Sequence, residues 1–195
     1  MIRGREIQHS QIMPWIGVAA LIALEQGIKL VISRFFLNTS VPIVAPVLYF
    51  EPMFNRHYSW FNSMLRIGGS KWAHIGIVGI LIVLLFLFYR YVRKHTRPRR
   101  IVNVMFAFLF AGALCSFVDK VFWDGSLDYI RLTGFFTFDL KDIYVNVFNG
   151  LLVYVIMFRS GDMKRFTESS IIGDFCRSLG GLRKPDRDGA SQGRY

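Results

Sequence analysis

Four long apolar runs divide the chain, over about residues 12–33, 72–91, 101–118 and 143–158. Each approaches the roughly 20 residues that a helix needs to cross the hydrocarbon core of a bilayer. The clearest contains IGIVGILIVLLFLFY, an uninterrupted apolar stretch. Residues 35–71 break the helical pattern. Pro42, Pro46 and Pro52 punctuate them, and VPIVAPVLYF is β-branched and aromatic, which predicts short extended pieces. Tyr49, Phe50, Phe54, Tyr58, Trp60 and Phe61 crowd the same segment. Rings of this kind favour the level where hydrocarbon meets wet headgroups. The expected fold is therefore an all-α membrane protein of four transmembrane helices. A small extended or β platform over 35–71 and a loop over 119–141 would lie on one face.

The polar positions orient this arrangement. Between the second and third runs, RYVRKHTRPRR holds Arg90, Arg93, Lys94, Arg97, Arg99 and Arg100 with no acid among them. Short loops this basic stay in the cytoplasm. Arg3 and Arg5 precede the first run, and Arg159, Lys164 and Arg165 follow the fourth. Both termini are thus expected inside, with the platform and the 119–141 loop outside. Residues 1–160 make one membrane domain. Residues 161–195, ending in GGLRKPDRDGASQGR, offer too little apolar surface to build a core and read as a flexible cytoplasmic tail.

A net charge of +11 raises the question of nucleic acid. The cations flank apolar runs, where they serve as topology signals and headgroup contacts. Membrane lipids, not nucleic acid, are the implied partners. Cys115 and Cys176 form no disulfide framework. His9, His57, His74 and His95 lack the paired spacing of a zinc helix. No metal and no cofactor is expected, and no pattern demands a dimer, so a monomer is expected.

What remains is a set of charges in apolar surroundings, where an ionisable group is a functional-site hypothesis by default. Glu25 and Lys29 lie four apart in the first run and share a helix face. They read either as an ion pair at the membrane edge, with the lysine reaching to water, or as a polar anchor inside the bundle. Asp119, Asp128, Asp139 and Asp142 cluster between residues 111 and 146. The bland reading of Asp128 and Asp142 is as solvated interface acids, with Asp142 favouring the N-terminus of the fourth helix.

The order and spacing of these residues resemble a family. From roughly Leu24 to Leu152 the chain is similar to the lipoprotein signal peptidases (signal peptidase II), membrane aspartyl proteases of bacteria. The family's Asp-Gln-x-x-Lys is matched by Glu25-Gln26-Gly27-Ile28-Lys29. Its platform motif Asn-x-Gly-Ala-Ala-Phe keeps Asn55 and an aromatic at Trp60. Gly-Ala-Leu-Gly-Asn-x-x-Asp-Arg becomes Gly112-Ala113-Leu114-Cys115-Ser116-Phe117-Val118-Asp119-Lys120. Val-Val-Asp-Phe becomes Ser126-Leu127-Asp128-Tyr129, and Phe-Asn-x-Ala-Asp becomes Phe138-Asp139-Leu140-Lys141-Asp142.

The resemblance implies a catalytic pair at Asp128 and Asp142. Glu25, Lys29, Asn55, Ser116, Asp119, Lys120 and Asp139 would serve as substrate-binding or supporting residues. Two carboxyls that share a proton have ionisations pushed apart, so one activates water while the other protonates the substrate. The implied substrate is a prolipoprotein bearing a diacylglyceryl cysteine, cut before that cysteine at the outer leaflet of the cell membrane. The departures have physical content. Lys120 for Arg keeps charge but loses a bidentate fork. Asp139 for Asn adds a carboxylate that needs a cation such as Lys141 or Lys120 to offset it. Two other classes fit less of the sequence: an ion-coupled carrier, for which there is no inverted repeat, and a non-catalytic family member acting as a membrane scaffold or lipoprotein-binding protein.

Overall fold

The computed structural model describes residues 2–55, 71–95, 99–123, 125–158, 173 and 175–176, with the side chains of 2–14, 95 and 99 excepted. The elements run α1 (Ile2–Phe35), β1 (Val41–Val44), β2 (Leu48–Asn55), α2 (Lys71–His95), α3 (Arg99–Phe122), β3 (Ser126–Leu132), β4 (Thr137–Phe138) and α4 (Leu140–Phe158). Stretches of the four helices, Trp15–Phe35, Lys71–Lys94, Arg100–Phe122 and Leu140–Phe158, are long and apolar enough to cross a membrane. They correspond to the four apolar runs, and each extends beyond its run into more polar sequence. The chain is a multi-pass membrane protein.

Helix α3 is the central one, packing against α1, α2 and α4. Its inward side chains Val102, Phe106, Phe110 and Ala111 meet Val18 of α1, Tyr89 and Val92 of α2 and Tyr144 of α4. The outward faces are apolar as well: Leu24, Leu30, Ile77, Ile80, Leu81 and Val153 are exposed. Hydrocarbon rather than water is the solvent that suits such surfaces. Close packing of α3 on α4 depends on one glycine. A Cβ added at Gly112 would meet Val145 Cγ2 at 2.8 Å and the Lys141 carbonyl at 3.2 Å, the close backbone approach that small residues permit in membrane bundles.

The strands form one antiparallel sheet in the order β1-β2-β3-β4. Extended structure was expected within 35–71, and β1 and β2 lie there. Tyr58, Trp60, Phe61 and the rest of 56–70 lie outside the described residues, as does most of the 161–195 tail; Phe175 packs on Phe88 and Tyr91. The segment read as a loop over 119–141 is built differently from that expectation. Helix α3 continues to Phe122, and β3 and β4 occupy most of the remainder. A turn reverses the chain between them, with Phe135 N–H donating to the Leu132 carbonyl at 3.0 Å. Gly134 there has φ of 80°, the conformation that the third residue of a type II turn requires.

The pairing of β2 with β3 positions the site. Phe50 opposes Ile130, but Met53 opposes Asp128 and Asn55 opposes Ser126. One extra residue is therefore taken up in β2 between Phe50 and Met53, a bulge that contains Pro52. Proline has no N–H to give a ladder, and bulges re-aim the residues beyond them. Without it Phe54, not Asn55, would face Ser126. Beneath the sheet, Leu127 and Tyr129 of β3 pack on Ile32 of α1.

Candidate active site

The site lies where the C-terminal ends of α1 and α3, strand β3 and the N-terminus of α4 converge. The basic α2–α3 connection is at the other end of α3. Four acids and a lysine are buried here: Glu25, Lys29, Asp119, Asp128 and Asp139. Of the two readings open for Glu25 and Lys29, the interior anchor describes them, because both are fully buried.

Lys29 is the centre of the network. Its Nζ lies 3.0 Å from Glu25 Oε1, 2.5 Å from Asp119 Oδ2 and 2.7 Å from Asp139 Oδ2. Glu25 Oε1 makes an ion pair there without hydrogen-bond geometry, while Glu25 Oε2 accepts from the Tyr129 hydroxyl at 3.2 Å. The same hydroxyl accepts the Leu140 N–H at 3.2 Å, so Tyr129 joins α1 to the start of α4. Burial, with the Glu25 charge beside it, pushes the Tyr129 phenol up and keeps it a donor. Asp119 is fixed from a second direction. Gln26 Nε2 donates to its Oδ1 at 3.0 Å, and Trp123 Nε1 donates to Gln26 Oε1 at 2.9 Å.

Asp139 and Asp142 form a reciprocal cap on α4. Asp142 N–H donates to Asp139 Oδ1 at 3.4 Å, and Asp139 N–H donates to Asp142 Oδ2 at 3.2 Å. This is a capping box with acids at both positions. The other oxygen of Asp139 faces Lys29 and Lys141, the latter in a very short contact. Burial pushes the Asp139 carboxyl up, but Lys141 and Lys29 outweigh it and hold the group below the ordinary carboxylate range.

Asp128 is presented by β3. Asn55 Nδ2 donates to its Oδ2 at 3.1 Å across the sheet, and Ser126 Oγ lies 2.8 Å from its Oδ1. Lys141 Nζ is 3.6 Å from the same Oδ1. Burial raises the Asp128 carboxyl above its usual range, against the pull of Lys141, Ser126 and Asn55. Ser126 Oγ lies within 3.1 Å of Asp119 and 3.3 Å of Asp139 as well. It has one proton for three carboxylates and accepts from Lys141 at 2.6 Å.

The residues singled out from sequence thus converge, with two set apart. Lys120 donates to Ser116 at 2.8 Å, one turn along α3, and neither has a described hydrogen bond to the acids. Five contributors escaped the sequence reading as site residues: Gln26, Trp123, Ser126, Tyr129 and Lys141. Ser126 and Tyr129 flank Asp128 within the quoted motif, which was their available signal. Among the described residues no group of His, Cys, Asp and Glu is arranged to hold a metal ion. Buried acids held by lysines and by a serine hydroxyl are groups whose chemistry is proton transfer.

Comparison with known proteins bears on this geometry. Residues 17–158 match the sequence model of the family described as Signal peptidase (SPase) II. A lipoprotein signal peptidase of Geobacillus kaustophilus is 30% identical over 149 residues, covering 74% of this chain and 91% of the relative. One from Yersinia pseudotuberculosis is 26% identical over 147 residues, covering 72% and 83%. Among solved structures, a bacterial membrane enzyme determined by the in meso method at 1.9 Å superposes with a TM-score of 0.62 at 18% identity, over 75% of this chain and 93% of that one.

Proposed function

The chain belongs to the signal peptidase II family, and from that premise we propose that it removes signal peptides from diacylglyceryl-modified prolipoproteins. The cut falls immediately before the lipidated cysteine, by attack of a water activated between Asp128 and Asp142. The observation that carries this reading is the meeting of strand β3, which bears Asp128, with the first turn of α4, which bears Asp142: Lys141, next to Asp142 in the chain, lies 3.6 Å from Asp128, and the Leu140 N–H donates to Tyr129.

The pair holds one proton. Asp128, supplied with donors by Asn55, Ser126 and Lys141, is the carboxylate that takes a proton from water. Asp142 carries the shared proton and gives it to the scissile carbonyl oxygen as the tetrahedral diol forms. Asp128 then gives its proton to the leaving amine while Asp142 takes one back from a hydroxyl of the diol, and the C–N bond breaks to leave a carboxylic acid and the pair with its single proton. No covalent intermediate forms and no metal is needed. Asp119, Glu25 and Lys29, buried behind the pair, fix the elements that carry it.

Orientation follows from charge. With the arginine-rich α2–α3 connection in the cytoplasm, the site and sheet lie at the outer leaflet of the cell membrane, and both termini lie inside. The exposed apolar side chains of the sheet, Val41, Ile43, Val44 and Met53, favour a lipid-bearing substrate there. Residues 1–160 then form the peptidase domain, acting as a monomer, and 161–195 a cytoplasmic tail.

The test is incubation of purified protein with a precursor carrying the diacylglyceryl cysteine and with the same precursor unmodified, followed by mass analysis. The reading expects one cut, before the cysteine, in the modified precursor alone. A competing reading, a non-catalytic family member that binds lipoproteins or scaffolds a membrane complex, draws on the helix cap, which gives Asp139 and Asp142 structural work. Binding of the modified precursor without cleavage would favour it.

A further inference from the structure

Lys141 occupies the second position of α4. A cation is unfavourable at the positive end of the helix dipole. Lysines at the ends of spanning helices ordinarily reach outward to water. This one turns inward, leaving its side chain only 12% exposed. Its backbone is held against α3, where the carbonyl lies 3.2 Å from the position a Cβ on Gly112 would take. The buried ammonium contacts Asp139, lies 3.2 Å from Asp119 Oδ2 and 3.6 Å from Asp128 Oδ1, and donates to Ser126. Such a position costs both helix-dipole energy and solvation, and those costs are offset only by the acids around it.

Every element packed here presents charge to Lys141. Strand β3 gives Asp128, α4 gives Asp142, and the turn before α4 gives Asp139. Helix α3 gives Asp119 and the like-charged Lys120, and α1 gives Glu25 and the like-charged Lys29. Lys29 is confined by three carboxylates away from Asp128, whereas Lys141 reaches Asp128 itself.

We propose that Lys141 is a positioning residue of the reaction, holding Asp128 as the carboxylate that activates water, and that Asp139 is the counter-charge that confines Lys141 to that place. Asp139 and Lys141 then act as one unit. Removing the lysine leaves Asp128 beside an uncompensated Asp139, which favours the protonated form of Asp128. Removing both charges returns its surroundings close to neutrality. This inference rests on the peptidase reading for its activity assay but not for its titration.

The experiment compares wild type, Lys141→Met, Lys141→Arg, Asp139→Asn and the double variant Asp139→Asn/Lys141→Met. The pH profile of kcat/KM is measured on a diacylglyceryl-modified precursor in detergent. In parallel, the Asp128 carboxyl is titrated by its 13C chemical shift. An opposite charge at this distance moves a carboxyl by about 1–3 pH units. Lys141→Met is expected to move the acid limb, and the Asp128 titration, upward by that amount. Asp139→Asn, which removes a like charge, moves both downward. Lys141→Arg keeps them near wild type, and the double variant brings them back to within about 1 unit. An Asp128 titration unmoved in Lys141→Met, or a double variant no closer to wild type than Lys141→Met, overturns the proposal. A wild type that cleaves nothing sinks the peptidase reading, and the titration then decides the role of Lys141 by itself.

Discussion

Replacing Lys29 by methionine keeps the volume and removes the cation at the centre of the network. The structure sets the scale of the effect. Lys29 Nζ faces carboxylate oxygens at 3.0, 2.5 and 2.7 Å, and lysine and acids are essentially inaccessible to water. At an effective dielectric near 20, each contact is worth about 6 kcal/mol of attraction. Most of that is consumed by desolvation of the ions, so the intact cluster contributes little net stability. Taking away one partner differs, because it strands the others: breaking a buried pair costs about 3–5 kcal/mol. For a chain of this size each kcal/mol lowers the unfolding midpoint by about 2–4 °C. Lys29→Met should therefore unfold roughly 6–20 °C below wild type at neutral pH.

The deficit should narrow in acid, since protonated carboxyls need no counter-charge. Asp139 supplies the sign. Its folded-state ionisation lies below the ordinary range, so its contribution is full above that range and is lost as pH falls through the folded value. Thermal unfolding in detergent from about pH 2 to pH 8, which brackets the range where Asp139 takes up its proton, measures both effects, and neutralising Glu25 alongside (Glu25→Gln/Lys29→Met) should recover part of the loss. A midpoint within about 2 °C of wild type at pH 7, less than one kcal/mol, would refute the reasoning. A normal midpoint with a raised KM would show instead that Lys29 meets substrate.

Three further outcomes follow from the same geometry. Gly112→Ala places a methyl against Val145 and the Lys141 carbonyl; overpacking of this kind costs about 1–3 kcal/mol, and because the first turn of α4 must shift, kcat should fall by up to about 100-fold, while wild-type values of both would contradict the packing account. Asp128→Asn should raise the unfolding midpoint at pH 7. Burial lifts the folded-state ionisation of Asp128, so its charge opposes folding above the ordinary carboxylate range, and the gain should vanish when the pH drops below that range. Arg131→Ala removes the Nη1 donor that reaches both Glu51 carboxylate oxygens, at 2.7 and 2.8 Å, but both side chains are more than a third exposed, so urea or thermal unfolding should register less than about 1 kcal/mol.

How far the sequence reveals this molecule depends on the range of the interactions. The four helices were legible because each is a local apolar run whose length alone answers to the bilayer. Extended structure near VPIVAPVLYF was legible for the same reason, since proline and β-branched residues act on their own backbone. Strand β3 was not. SLDYIRL carries two charges, and its partner Leu48–Asn55 lies more than 70 residues earlier, so only the folded chain brings the pair together. The bulge that turns Asn55 toward Ser126 left a trace in Pro52, but the register was unreadable.

The acids stood out because charge is rare in apolar surroundings. Their division of labour came only from the resemblance. Nothing local distinguishes Asp139, which both caps α4 and holds two lysines, from Asp142 three residues on. Lys141 read only as one of two cations, with Lys120, that could offset Asp139. Only the contact of α4 with α3 at Gly112, with the turn leading out of β4, directs it into the site.

The central claim is that Asp128 and Asp142 together cleave the peptide bond. Its most direct test is the single-turnover rate on a diacylglyceryl-modified prolipoprotein for wild type, Asp128→Asn and Asp142→Asn, each shown to be folded in detergent. A paired acid and base predicts that either substitution alone lowers the rate by about 100-fold to 10,000-fold. Near-normal cleavage by Asp142→Asn would contradict the claim and leave Asp142 as a helix cap.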